Sequence, residues 1–287
     1  MRIPRHWTKG SYTGRDDQGK EVTYSAWGWS LDSPGAAKED AIARARRIFD
    51  HLVNGKDLGT YEYSDRPLRE EIVETLQDGG KEVAIVTRNR YGALVLNAAS
   101  VLFADVDYPR VRATGPWDAV LLVFSGARRR RRAAALQEAT LAAVREWSQE
   151  NPSQAFRIYR TRAGLRLLFV DKLYEPKSEE TGRILLELGS DPLYRTLTLK
   201  QECFRARLTP KPWRCGCKNP PHQYPWKDPQ AERAYRDWER RYEQASRRYG
   251  VCEFVEACGA VASNDVIGAV VELHDRRTGG GPDMELA

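Results

Sequence analysis

The chain has 287 residues, 46 Lys and Arg against 40 Asp and Glu, and 41% hydrophobic residues, enough for one large or two small domains around a substantial core. No run of 18 apolar residues occurs, which excludes a membrane-crossing helix, and residues 1–7 lack the apolar stretch of a secretory leader. Five cysteines, an odd count in a chain of this length, do not make a disulfide framework, so a reducing cytoplasmic location and no membrane partner are expected.

Residues 1–31 are expected to be β-rich, because 22–29 alternates as a strand does. Ser33-Pro34 opens a helix with Ile42, Ala45, Ile48, Phe49 and Leu52 on one face, and Asn54-Gly55 closes it. A second helix is predicted from Asp65, with Pro67 in its first turn, Leu68, Ile72 and Leu76 as its stripe, and Gly79-Gly80 as its stop. Three short strands at 82–87, 92–97 and 101–106 read as a meander. Five arginines, 128–132, open a helix to about Trp147, which Asn151-Pro152 breaks. A hairpin follows, 156–160 and 165–171, turning at Arg162-Ala163-Gly164, and then a helix over 178–188.

Six of the fifteen prolines fall within 209–229, so regular structure is not expected there. Beyond Asp228-Pro229 a long helix carries Tyr235, Trp238, Tyr242, Ala245, Tyr249 and Cys252 at alternating spacings of three and four, a heptad seam. Packing within the monomer is its simpler use, and a homodimer through 229–252 is the other. The tail from Thr278 is expected to be disordered. The domain reading is an N-terminal β/helical segment over 1–80, a core over 81–212, and a proline-rich loop with a helical segment over 213–287.

Charge is concentrated. From Arg128 to Arg166 there are ten arginines, no lysine and three acids. Guanidinium groups suit phosphate oxygens and stack on bases, so contact with phosphate or nucleic acid is a candidate role, with a solvated helix face as the alternative. The strand 101–106 opens with four apolar residues, after which Asp105 and Asp107 stand at i and i+2, which places both carboxylates on one side. Such a pair suits Mg²⁺ or Mn²⁺. Arg160, Arg162 and Arg166 surround the Gly164 turn, and Gly164 permits close backbone approach. A carboxylate pair facing guanidinium groups is what triphosphate chemistry needs. Cys215 and Cys217, with Cys203 and His222, are a candidate zinc set.

In this order, Asp105-Val106-Asp107, then a helix, Arg160-Thr161-Arg162-Ala163-Gly164-Leu165-Arg166, a helix and Ser190-Asp191-Pro192, the chain resembles the archaeo-eukaryotic primase superfamily, the primase-polymerases. Phe204-Arg205-Ala206-Arg207-Leu208-Thr209-Pro210-Lys211-Pro212 falls where members have an Arg-Leu-Pro…Lys stretch that touches nucleotide. The resemblance covers about 101–212. It implies an α+β fold, an RRM-like palm of mainly antiparallel sheet with flanking helices, to which the long C-terminal helix is added. It implies nucleotidyl transfer with Asp105, Asp107 and Asp191 as catalytic metal ligands, Asp171 being a substitute for Asp191. Arg160, Arg162, Gly164, Arg166, Arg205, Arg207 and Lys211 would hold nucleotide, and nucleic acid and nucleoside triphosphates would be the partners. Arg166 stands where the family has a phosphate-contacting His, and Arg162 where the turn has its first glycine. These departures leave two alternatives, a non-catalytic nucleic-acid- or nucleotide-binding protein and a metal-dependent nuclease.

Overall fold

A computed structural model describes residues 1–54, 67–260, 262–279 and 284–287. Strands β1 (His6–Arg15) and β2 (Glu21–Ser30) form an antiparallel hairpin, and α1 (Pro34–Asn54) lies along it. Small residues set that approach. A Cβ on Gly28 would stand 2.1 Å from the Ala41 nitrogen and 2.3 Å from the Ala37 oxygen, so helix and strand meet backbone to backbone through the buried Ala37 and Ala41. Farther along, Phe49 meets Tyr12 and Tyr24 edge-on at 5.3 and 6.3 Å.

The predicted helix from Asp65 begins outside the described residues, and its remainder is not helical. Residues 71–78 form β3 (Glu71–Asp78), paired antiparallel with β4 (Lys81–Arg88). Ile72 and Leu76 fit a helical stripe, but Ile72, Val73 and Thr75 are β-branched, which favours a strand. Gly79 and Gly80 both take positive φ, 54° and 77°, the turn a two-residue hairpin requires.

Two four-stranded antiparallel sheets make the body. One runs β3-β4-β5-β9, with β5 (Leu94–Ala98) and β9 (Phe204–Arg207). The other runs β11-β7-β8-β6, with β6 (Phe103–Asp107), β7 (Phe156–Thr161), β8 (Gly164–Phe169) and β11 (Cys252–Cys258). The expected three-strand meander is therefore two strands, because β6 leaves β5 and joins the second sheet. The fold is mixed α+β with antiparallel sheets.

Helices α2 (Pro116–Phe124) and α3 (Gly126–Glu150) connect β6 to β7. Helices α4 (Glu179–Glu187) and α5 (Pro192–Gln201) lead from β8 to β9. Helix α6 is Pro229–Ser246 and α7 is Asp265–Thr278. One apolar core joins both sheets with α3, α4 and α7, including Leu96, Phe103, Trp147, Phe169, Ile184 and Val270. This core and the second sheet both cross the expected boundary at residue 212.

The expected helix over 229–252 stops at Ser246; Tyr249 lies in β10 (Tyr249–Gly250) and Cys252 in β11. Its seam is covered within the chain. Tyr235, Trp238 and Tyr242 bury themselves with Cys215, and Trp226 and Tyr249 pack on them. Trp238 and Tyr242 stack at 5.1 Å and 7°, and the Trp238 indole N–H donates to the Lys218 carbonyl at 2.8 Å, pinning the proline-rich loop to α6. Nor is the whole tail unstructured: Thr278 ends α7, and β12 (Glu285–Leu286) pairs parallel with β10. Among the described residues no helix is long and apolar enough to cross a membrane.

Candidate functional site

In the second sheet Asp105 lies opposite Arg166 and Asp107 opposite Gly164. A Cβ on Gly164 would come within 2.2 Å of the Val106 oxygen, so only glycine lets β8 close on β6 here. Residues directly opposite on antiparallel strands share a face. Asp105, Arg166 and Tyr159 therefore lie on one side, and Val106, Leu165 and Arg160 on the other. Arg160 is thus not part of the aspartate cluster; its guanidinium hydrogen-bonds Tyr108 instead.

Arg166 is turned inward, with 3% of its side chain exposed. Its Nε donates to Asp105 Oδ1 at 2.9 Å, its Nη2 to Oδ2 at 3.4 Å, and its Nη1 to the Arg207 carbonyl at 2.9 Å. Burial is the largest single influence and opposes its charge, but Asp105, Cys252 and Tyr194 together outweigh it and hold its pKa above the ordinary value. The expected phosphate ligand is the countercharge of Asp105 and a tie between the two sheets.

Asp191 caps α5, its Oδ1 accepting from the Leu193 and Tyr194 nitrogens at 2.8 and 3.1 Å. Its charge still reaches Asp107. Burial, then Asp105, then Asp191 push the Asp107 carboxyl above the usual carboxylate range, and Lys211 works the other way. Asp105 and Asp191 thus each act on Asp107 through charge, in addition to its burial. Asp171, the substitute, accepts instead from the Tyr174 hydroxyl at 2.6 Å. Tyr194, which sequence reasoning did not single out, donates to the Phe103 carbonyl at 2.8 Å and braces the strand carrying the aspartates.

Three cations from β9 and the turn after it lie near one another, Arg207 within the field of Asp105 and Lys211 within that of Asp107. Burial, then Arg166 and Arg214, push Arg207 down to about 10. Burial, Arg207 and Arg214 lower Lys211, and burial followed by Arg162 lowers Arg214. None of the three is in an ion pair among the described residues, and the Arg207 Nε is buried without a hydrogen-bond partner. Arg162, at the hairpin turn, stands near Arg214 and 3.8 Å from Glu285. Arg214 was not among the expected ligands, although it follows Lys211 by three residues in the same proline-rich turn. Arg205 departs from expectation, since it makes a bidentate pair with the buried Glu70 at 2.8 Å on both oxygens.

The residues do not fit a ready metal site. Asp105 is engaged by Arg166 and one Asp191 oxygen by the α5 N-terminus. Among the described residues no three His, Cys, Asp or Glu side chains are grouped to hold a metal ion. The zinc set is not brought together either. Cys203 is buried at the start of β9, its thiol pushed up to about 11 chiefly by burial. Cys215 donates to the Pro212 carbonyl at 3.2 Å in the loop.

No family model, no curated protein and no solved structure matches the chain.

Proposed function

We propose that the protein binds the phosphates of a nucleotide or nucleic acid at Arg207, Lys211 and Arg214, beside the Asp105–Asp107–Asp191 cluster, in a primase-polymerase-like palm. The observation that carries this reading is the desolvated, mutually repelling cation trio with the unpartnered Arg207 Nε. Three like charges held close together in a half-buried site, offset only in part by Asp105 and Asp107, raise the energy of the ligand-free protein. A polyanion relieves that repulsion and accepts the orphaned donors with charge-assisted bonds. Arg166 acts as a positioning residue, holding Asp105 and the Arg207 backbone in one frame.

The test is a titration with inorganic pyrophosphate and with a nucleoside triphosphate. Lys211→Ala and Arg214→Ala should each weaken binding roughly tenfold to a hundredfold, the worth of about 1.5–3 kcal/mol per charge-assisted contact. Unchanged affinity in folded variants would sink the reading.

Nucleotidyl transfer is the second reading, favoured by one observation: burial, with the charges of Asp105 and Asp191, raises the Asp107 pKa. Such repulsion is costly unless ligand binding uses it. Extension of a primed template in the presence of Mn²⁺, lost in Asp107→Asn, supports transfer. Phosphate binding without extension leaves binding as the function.

A further inference from the structure

A cavity of about 530 Å³ opens where the N-terminal hairpin, the segment 67–70, the 89–91 turn and α5 meet. It lies outside the stretch that resembles the primases, apart from α5 and Arg205. Its aromatic walls are Trp7, Trp27 and Tyr91, from β1, β2 and the turn after β4. Its one lining carboxylate among the described residues, Glu70, is neutralised by Arg205. Arg69 lies over the Trp27 ring at 5.6 Å, makes no ion pair among the described residues, and is lowered by burial. Arg90 lies over Tyr91 at 4.5 Å. Indole and phenol faces backed by guanidinium groups suit a planar, electron-rich ring carrying negative charge nearby.

The cavity and the cation trio share strand β9. Arg205 lines the cavity, and Arg207, two residues on along β9, belongs to the trio. Those side chains emerge on one face roughly 7 Å apart. Tyr91 also packs edge-on against Trp213 at 5.1 Å, and Lys211 Nζ lies 5.5 Å from the Trp213 ring centre. Tyr91 and Trp213 thus link the cavity wall to Lys211 of the trio.

We propose that the cavity holds an unstacked base of a single-stranded nucleic acid whose backbone continues over Arg207, Lys211 and Arg214. This rests on the phosphate-binding reading and adds the ligand's class and path to it. A duplex keeps its base faces stacked, so only an unpaired strand offers a ring to Trp27 and Tyr91. Stacking reads no base edges, so little sequence preference is expected.

The experiment measures anisotropy of a labelled twelve-residue oligothymidylate, with pyrophosphate and thymidine triphosphate titrated separately. Base stacking on an aromatic side chain carries about 1–3 kcal/mol, so Trp27→Ala should weaken the oligonucleotide about fivefold to 150-fold while leaving pyrophosphate unchanged. Arg69→Ala, a substitution at an exposed side chain, should weaken the oligonucleotide in the same sense, and Trp27→Phe should recover most of the loss. If the parent binds neither pyrophosphate nor oligonucleotide, the phosphate-binding reading fails and the cavity assignment with it. If the parent binds both and Arg69→Ala and folded Trp27→Ala bind the oligonucleotide as the parent does, the cavity assignment alone is overturned. Thymidine triphosphate binding as tightly as the oligonucleotide, with the same dependence on Trp27, would overturn the strand and leave a mononucleotide.

Discussion

Arg166 and Asp105 are unequal partners. The guanidinium is almost wholly inside, whereas 44% of the Asp105 side chain meets solvent. Removing Asp105 strands a buried cation with one remaining acceptor, the Arg207 carbonyl, at a cost of about 3 kcal/mol. Replacing Arg166 by methionine removes the cation itself, keeps similar bulk, and leaves a carboxylate that water can solvate. That change should cost only about 1–2 kcal/mol, mainly for the carbonyl left without its donor. Urea denaturation of Asp105→Ala and Arg166→Met should therefore place Asp105→Ala lower. The reverse order would mean that the pair is not the buried anchor described. A practical result follows: loss of function in Asp105→Ala mixes chemistry with instability, and Asp107→Asn is the cleaner probe.

At the scale of elements, the N-terminal layer depends on one absent methyl group. The atoms a Gly28 Cβ would strike are backbone atoms of α1, which cannot rotate away. Gly28→Ala should destabilise by about 3 kcal/mol through overpacking. Gly35 gives the control, since its added Cβ would meet only Ser33 Oγ at 3.8 Å. Gly35→Ala, within α1, should be neutral or gain up to about 1 kcal/mol. Thermal melts of the two variants test this directly; equal melting temperatures would refute the close-approach account.

Elements with strong local signals were legible in the sequence. These are α3 with its Asn151-Pro152 stop, the β7–β8 hairpin about Gly164, and β4, β5 and β6 within two or three residues. The strand β3 was misread because a four-residue spacing of Ile72 and Leu76 imitates a helix, while the Gly79-Gly80 turn carried the better signal. Helix α2 was missed. Its Trp117, Val120, Leu121 and Phe124 do fall at helical spacing, but that stripe faces solvent rather than core. Asp105 and Asp191 both act on Asp107 through their charge, but among the described residues the three are not grouped as metal ligands. The fates of Arg160, Arg166 and Arg205 were not legible, because they depend on strand register and on Glu70, far away in sequence.

Across the whole molecule, burial of His274 sets an acid limit. Its Nδ1 lies 3.0 Å from Asp275 Oδ1 and its Nε2 3.8 Å from Cys252 Sγ. The Tyr159 hydroxyl also donates to Asp275 Oδ1, at 2.7 Å. Burial outweighs Asp275 and lowers the His274 pKa below its ordinary 6.5. A neutral ring then donates from Nδ1 to Asp275 and accepts at Nε2. The native state takes up this proton less readily than the unfolded chain. Its stability contribution is thus full above pH 6.5 and falls as pH drops through that value, by at most about 1.4 kcal/mol per pH unit. Denaturation at pH 7.5 and 5.5 should show a loss of about 1 kcal/mol, and His274→Asn should flatten the dependence. A parent profile flat over that window would contradict a buried neutral histidine.

The stack between Trp238 and Tyr242 continues outward. Trp226 lies 4.3 Å from Tyr235, itself 5.4 Å from Trp238, and Tyr224 lies 5.6 Å from Trp226. Rings this close exchange excitation energy, so tyrosine light absorbed along the file should emerge as tryptophan fluorescence. Because Trp226 rides on the proline-rich loop and Trp238 on α6, that emission is a native optical gauge of whether the loop, and with it Lys211 and Arg214, is seated.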